Sequence, residues 1–142
     1  MYRKILLPLD LGNEKSQRKA VKSAIQLAQS YNSVLHVMTV VPDFGMSIVG
    51  TYFPEDYEES MLTDTRERLS AYVARNIPDT IKTRLFVAHG TIYNEILDYA
   101  NKTRVNLIVI ASHRPELKDY LIGPNAARVV RHANCSTMIV RP

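Results

Sequence analysis

Asn106-Leu107-Ile108-Val109-Ile110-Ala111 is the most continuously apolar stretch of the chain, and its reading decides the fold. Such a run fits a central strand of a parallel sheet, covered on both faces, whereas a strand with one wet face would alternate apolar and polar residues. Working outward, a loop follows it, Gly123-Pro124 begins a short helix through about Ala133, and Ser136-Thr137-Met138-Ile139-Val140 closes the chain as a last strand. Toward the amino end, Gly90-Thr91 starts a helix with Ile92, Ile96, Tyr99 and Ala100 inward, preceded by a strand around Arg84-Leu85-Phe86-Val87. A helix from about Tyr57 to Asn76 presents Leu62, Leu69, Tyr72 and Val73, and Pro78-Asp79 ends it.

The first forty residues repeat the same alternation. Ile5-Leu6-Leu7 opens a buried strand ending at Pro8-Leu9-Asp10, Gly12-Asn13 turns the chain, and Val21, Ala24, Ile25 and Ala28 share one helix face. Val34–Val41 is a second strand, stopped by Pro42, and Gly45, Gly50 and Pro54 mark a loop to about residue 56 that exceeds the usual connection length. The βαβαβαβαβ pattern predicts right-handed crossovers, and with them an α/β fold: a five-stranded parallel sheet with helices on both faces. There is no internal repeat or low-complexity linker. At 142 residues, 46% hydrophobic and 23% charged, the chain reads as one domain, 1–142.

Composition excludes several function classes. The apolar run Leu107–Ala111 is far below the ~20 residues of a membrane span, and Met1-Tyr2-Arg3-Lys4-Ile5 leads into a strand without a cleavage pattern, so neither membrane insertion nor secretion is expected. One cysteine, Cys135, makes no internal disulfide and fits a reducing cytoplasm. The net charge of +4 is segregated: residues 1–30 hold six Lys/Arg against two acids, residues 31–65 hold six acids and no Lys or Arg, and residues 66–142 hold twelve Lys/Arg against six acids. Lys15, Arg18, Lys19 and Lys22 have the spacing of a solvated helix face, and no aromatic RNA-binding motif or Cys/His finger occurs, so nucleic acid is not an expected partner.

Ligands of open parallel sheets bind beyond the carboxyl ends of the strands, where strand order reverses. That rule singles out Pro8-Leu9-Asp10, the second strand, and Ala111–Arg114. The Asp10 carboxylate is placed either to accept from an adenine amino group or ribose hydroxyl or to cap the next turn, and position alone does not separate the two. Gly123-Pro124-Asn125-Ala126 begins a helix, where free N–H groups and the helix dipole attract phosphate. Proline removes one donor, and in isolation the segment reads as an N-cap and a helix starter. Ser112 and Arg114 have the chemistry to hold phosphate oxygens. Ser112-His113 has no surrounding Gly-x-Ser-x-Gly elbow, and the four histidines show no metal-ligand spacing, so neither a catalytic residue nor a structural metal is expected. His36 reads as a sheet histidine, His89 and His132 as turn or cap residues, and Cys135 as a small apolar residue.

Lys4-Ile5-Leu6-Leu7-Pro8-Leu9-Asp10, Leu35-His36-Val37, Ile110-Ala111-Ser112-His113-Arg114-Pro115 and Leu121-Ile122-Gly123-Pro124-Asn125-Ala126-Ala127, with Val130 through Ser136 and the ending Val140-Arg141, resemble the universal stress proteins, most closely the bacterial F/G-like subgroup. The resemblance spans essentially the whole chain. It implies a Rossmann-like sheet in the order 3-2-1-4-5, a homodimer paired through the last strand, and in many members ATP or another adenine nucleotide, with Mg accompanying its phosphates. The adenine and ribose contacts it implies fall on Pro8, Leu9, Asp10 and Val37, and the phosphate loop on Ile110, Ala111, Ser112, His113, Arg114, Gly123, Pro124, Asn125 and Ala126. The family's Gly-x2-Gly-x9-Gly-(Ser/Thr) pattern is altered here: Ala111 and Arg114 replace the first two glycines, one residue is missing before Gly123, and Pro124 replaces the hydroxyl residue. The expected function is adenine-nucleotide binding in a stress response, with at most slow ATP hydrolysis. The alternative is a dimeric interaction protein that has lost the ATP site.

Overall fold

The computed structural model describes residues 1–42, 57–112 and 123–142. In chain order the elements are β1 (Lys4–Leu9), a 3₁₀ turn (Lys15–Gln17), α1 (Arg18–Tyr31), β2 (Val34–Pro42), α2 (Tyr57–Asn76), β3 (Thr83–Gly90), α3 (Ile92–Thr103), β4 (Leu107–Ala111), α4 (Pro124–His132) and β5 (Ser136–Val140). All five strands are parallel, in the order β3-β2-β1-β4-β5, which places Leu107–Ala111 inside the sheet as its continuous apolar character requires. The strand expected around Arg84–Val87 runs on to Gly90, so His89 lies within a strand instead of a turn, and the Glu58 carboxylate pairs with its Nδ1 at 2.8 Å. The long loop after Pro42 falls on residues 43–56, outside the described residues.

Strand alternation divides the core into two layers. Ile5, Leu7, Leu9, Leu35, Val37, Leu107, Val109 and Ala111 face α1 and α2, meeting Ala20, Val21, Ala24, Ala28, Leu69 and Tyr72. Leu6, Met38, Ala88, Ile108 and Ile110 face α3 and α4, meeting Ile96, Ala100, Ala126 and Val129. Leu62 and Ile25, read as inward, are only half-buried, and Thr65 is the buried residue one turn beyond Met61, satisfying its hydroxyl on the Met61 carbonyl at 2.8 Å.

The seam between β1 and β4 positions the site. β1 pairs with β2 from Lys4↔Val34 through Leu9↔Thr39, but with β4 only at Ile5↔Leu107 and Leu6↔Ile108. The Arg3 carbonyl accepts from Val34 on β2 and the Lys4 carbonyl from Asn106 beside β4, so odd positions of β1 face β2 and even positions face β4. Pro8 is the next even position after Leu6 and has no N–H to give, so the ladder toward β4 stops there and the strands part.

Candidate functional site

A cavity of about 340 Å³ opens where β1 and β4 part. Pro8, Leu9 and Asp10 line it from β1, Val40 and Pro42 from β2, Ile92 and Ile96 from α3, Ile110 and Ala111 from β4, and Gly123, Pro124, Asn125 and Ala126 from the start of α4. Asn13 and Gln17 complete it from the turn before α1. The walls are largely aliphatic and the polar groups sit at two ends, as in small-molecule sites that fix orientation with a few polar contacts.

The β1 end is held by three side chains, Gln17 above all. Gln17 is 2% exposed; its Oε1 accepts from the Asp10 N–H at 2.6 Å, and its Nε2 donates to the Asp10 carbonyl at 2.6 Å and the Asn13 carbonyl at 2.7 Å. Asp10 Oδ1 accepts from the Gly12 N–H at 2.9 Å, an Asx turn, and the Thr39 hydroxyl donates to the Leu9 carbonyl at 2.7 Å. The turn-closing reading of Asp10 is seen directly in this bond, and the exposed carboxylate also lines the cavity.

At the other end, Gly123 adopts φ 83°, ψ 155°, a conformation that only glycine adopts without strain, and turns the chain into α4 with Pro124 at the first helical position. The Gly123 carbonyl accepts from Ala127 at 3.0 Å, and no side chain among the described residues caps the helix. With Pro124 contributing no donor, the first-turn N–H groups are those of Asn125 and Ala126, both on cavity-lining residues. The arrangement can take a ligand with hydroxyl or amino donors at the Asp10 end and negative charge at the α4 end.

Of the residues singled out from sequence, Pro8, Leu9, Asp10, Ile110, Ala111, Gly123, Pro124, Asn125 and Ala126 come together around this cavity. Val37 does not line it: it is 0% exposed, in the layer facing α1 and α2, whereas Val40, on the opposite face and closer to the strand end, does. Ser112 is 3% exposed, donates its N–H to the Val140 carbonyl at 3.0 Å and does not line the cavity. His113 and Arg114 lie outside the described residues. Sequence reading missed Asn13, Gln17, Val40, Pro42, Ile92 and Ile96 as lining residues. A polar residue inside the first amphipathic helix turn was the available signal for Gln17, and the Pro42 strand stop marked the rim. Among the described residues no three His, Cys, Asp or Glu side chains come together as a metal site. Cys135 is half-buried, and burial raises its thiol pKa.

Known proteins bear on this geometry. The family model "Universal stress protein family" matches residues 1–141. Universal stress protein G of Escherichia coli O157:H7 is 31% identical over 144 residues, covering 99% of this chain and 100% of its own. A universal stress protein of Lactobacillus plantarum superposes with a TM-score of 0.72 at 23% identity, over 99% of this chain and 98% of that one. A universal stress protein of Archaeoglobus fulgidus, solved in complex with dAMP, superposes with a TM-score of 0.66 at 16% identity, over 99% and 98% of the two chains.

Proposed function

Since the chain belongs to the universal stress protein family, we propose that it is an adenine-nucleotide-binding stress protein, taking ATP or AMP in the cavity between β1 and β4. The observation that carries this reading is the cavity itself: an aliphatic slot at the reversal of strand order, with the Asp10 carboxylate at one end and a glycine-initiated helix at the other. The dAMP bound by the Archaeoglobus relative, on the same fold, supports an adenine ligand. Asp10 accepts from ribose hydroxyls or the adenine amino group, the base packs among Val40, Ile92 and Ile96, and phosphate meets Asn125 and Ala126. Mg would accompany the phosphates of bound ATP. No general base stands beside a phosphate position among the described residues, so binding with slow hydrolysis at most is the activity. Nucleotide occupancy then modulates contacts with a protein partner in the cytoplasm, the working unit being a homodimer paired through β5. No helix among the described residues is long and apolar enough to cross a membrane.

Pro124 favours a second reading. It stands at the helix start that would grip phosphate and withholds an N–H there, which suits an interaction protein that has lost nucleotide. One experiment separates the two. Mass spectrometry of small molecules released by heat from freshly purified protein, then titration with ATP, AMP and GTP, gives adenine nucleotide and an adenine preference in the first case. An empty protein that ignores millimolar ATP establishes the second.

A further inference from the structure

Behind the cavity wall lies a polar group that the nucleotide reading does not use. His36, at the centre of β2 between Leu6 and Arg84, is 8% exposed and points into the layer under α3. Its Nδ1 lies 2.9 Å from the Tyr99 hydroxyl, and its Nε2 is buried without a hydrogen-bond partner among the described residues. The two rings meet edge-on with centroids 5.7 Å apart, and Tyr99 stacks on Phe86 of β3 at 4.6 Å. The charges bearing on the ring are Lys4 from β1 and Arg84 from β3, both positive, and from α3 it meets the Tyr99 hydroxyl. Burial, and then these two cations, lower the pKa of His36.

A neutral imidazole has one donor and one acceptor, so the Tyr99 hydroxyl satisfies one nitrogen in either tautomer and a single polar atom stays unpaired. A charged imidazolium has two donors, one available acceptor and two cationic neighbours. It is accommodated only where water reaches it, and the α3 side chain packed on the ring is Tyr99. Tyr99 shares its helix face with Ile96, one turn away, and with Ile92 beyond it, both of which line the cavity. The far end of α3 is fixed separately, because the Lys4 ammonium donates to the Thr103 carbonyl at 3.0 Å.

We propose that His36 makes the seat of α3 acid-sensitive: when the ring takes up a proton, the His36–Tyr99 contact breaks, α3 pivots about its Lys4-held end, and the wall formed by Ile92 and Ile96 draws back from the cavity. The regulation of ligand binding rests on the nucleotide reading; the release of α3 does not. The sign follows from the ring being neutral in the fold and free to charge when exposed. Stability of the seat is complete above the ordinary imidazole value of about 6.5 and is lost as pH falls below it toward the lowered native pKa.

The test measures hydrogen-exchange protection of α3 amides in the full chain at about pH 7.5 and about pH 5, corrected for intrinsic rates, with α1 amides as internal reference. The expected result is an acid loss of α3 protection about tenfold greater than that of α1, abolished in His36→Phe. His36→Gln, also neutral at every pH and able to keep a bond to Tyr99, gives the same comparison should the Phe variant not fold. Adenosine, which has no group titrating in this interval, is the binding probe. It binds about tenfold more weakly in acid to the parent chain and equally at both pH values to the variant. Equal loss of protection in α3 and α1, or a differential that survives in both variants, overturns the proposal, as does weakened adenosine binding with α3 protection intact. Failure of adenosine to bind at either pH overturns the nucleotide reading, while hydrogen exchange still decides the seat.

Discussion

Where β1 ends, the backbone beside the cavity is tied down group by group; where α4 begins, it is shaped by a glycine and a proline, with no side chain among the described residues holding it. Gln17 engages the Asp10 N–H, the Asp10 carbonyl and the Asn13 carbonyl, Asp10 closes its own turn on Gly12, and Thr39 holds the Leu9 carbonyl. Across the cavity, Gly123 and Pro124 set the chain direction by their own torsional limits, and no side chain among the described residues caps α4. The first wall is preorganised by side-chain hydrogen bonds to its backbone, the second by local covalent geometry. A ligand therefore meets a fixed acceptor at the Asp10 end and a sparse set of donors at the other, so affinity gained from a nucleoside should exceed that gained from its phosphates.

The contrast can be broken most severely at Gln17. Gln17→Ala removes three hydrogen bonds from a buried position, a loss on the order of 3 kcal/mol that a denaturation midpoint would read. Adenosine affinity should fall as well, because Asp10 is no longer held. At the opposite wall, Gly123→Ala places a Cβ on a backbone at φ 83°, ψ 155°, at a cost of about 2 kcal/mol, again read as a lower denaturation midpoint. An unchanged midpoint would show that α4 starts differently in solution. The smallest effect, and the sharpest on the ligand side, is Pro124→Ser. Restoring an N–H and a hydroxyl should tighten ATP about tenfold and leave adenosine unchanged, by calorimetric titration. Equal affinity of both proteins for ATP would mean that this position does not touch phosphate.

How far the sequence reached differs in the same way between local and long-range features. Leu107–Ala111 announces a doubly covered strand through composition alone, and Gly123-Pro124 announces a helix start through torsional preference, so sheet class and the α4 end were legible. Val37 and Val40 were not separable, because Val34–Val41 is apolar on both faces and the alternation that would tell the layers apart is absent. Gln17 belongs to a run of basic and polar residues around the first helix, and its role exists only once Asp10 and Asn13 are folded against it. His36 and Tyr99, 63 positions apart, could be placed on a strand and a helix but not against each other.

The short seam between β1 and β4 also sets the order of events in time. It joins Ile5 and Leu6 to Leu107 and Ile108, about a hundred residues along the chain, whereas β1 and β2 are joined through one intervening helix. Closing the longer loop costs more chain entropy, and only two pairs of residues compensate for it in the ladder. The β1–β2–β3 half can therefore form before β4 and β5 dock, and the cavity comes into being only with that last event. A small molecule held there reports a completed chain, and its stabilisation should appear as slower unfolding instead of faster folding.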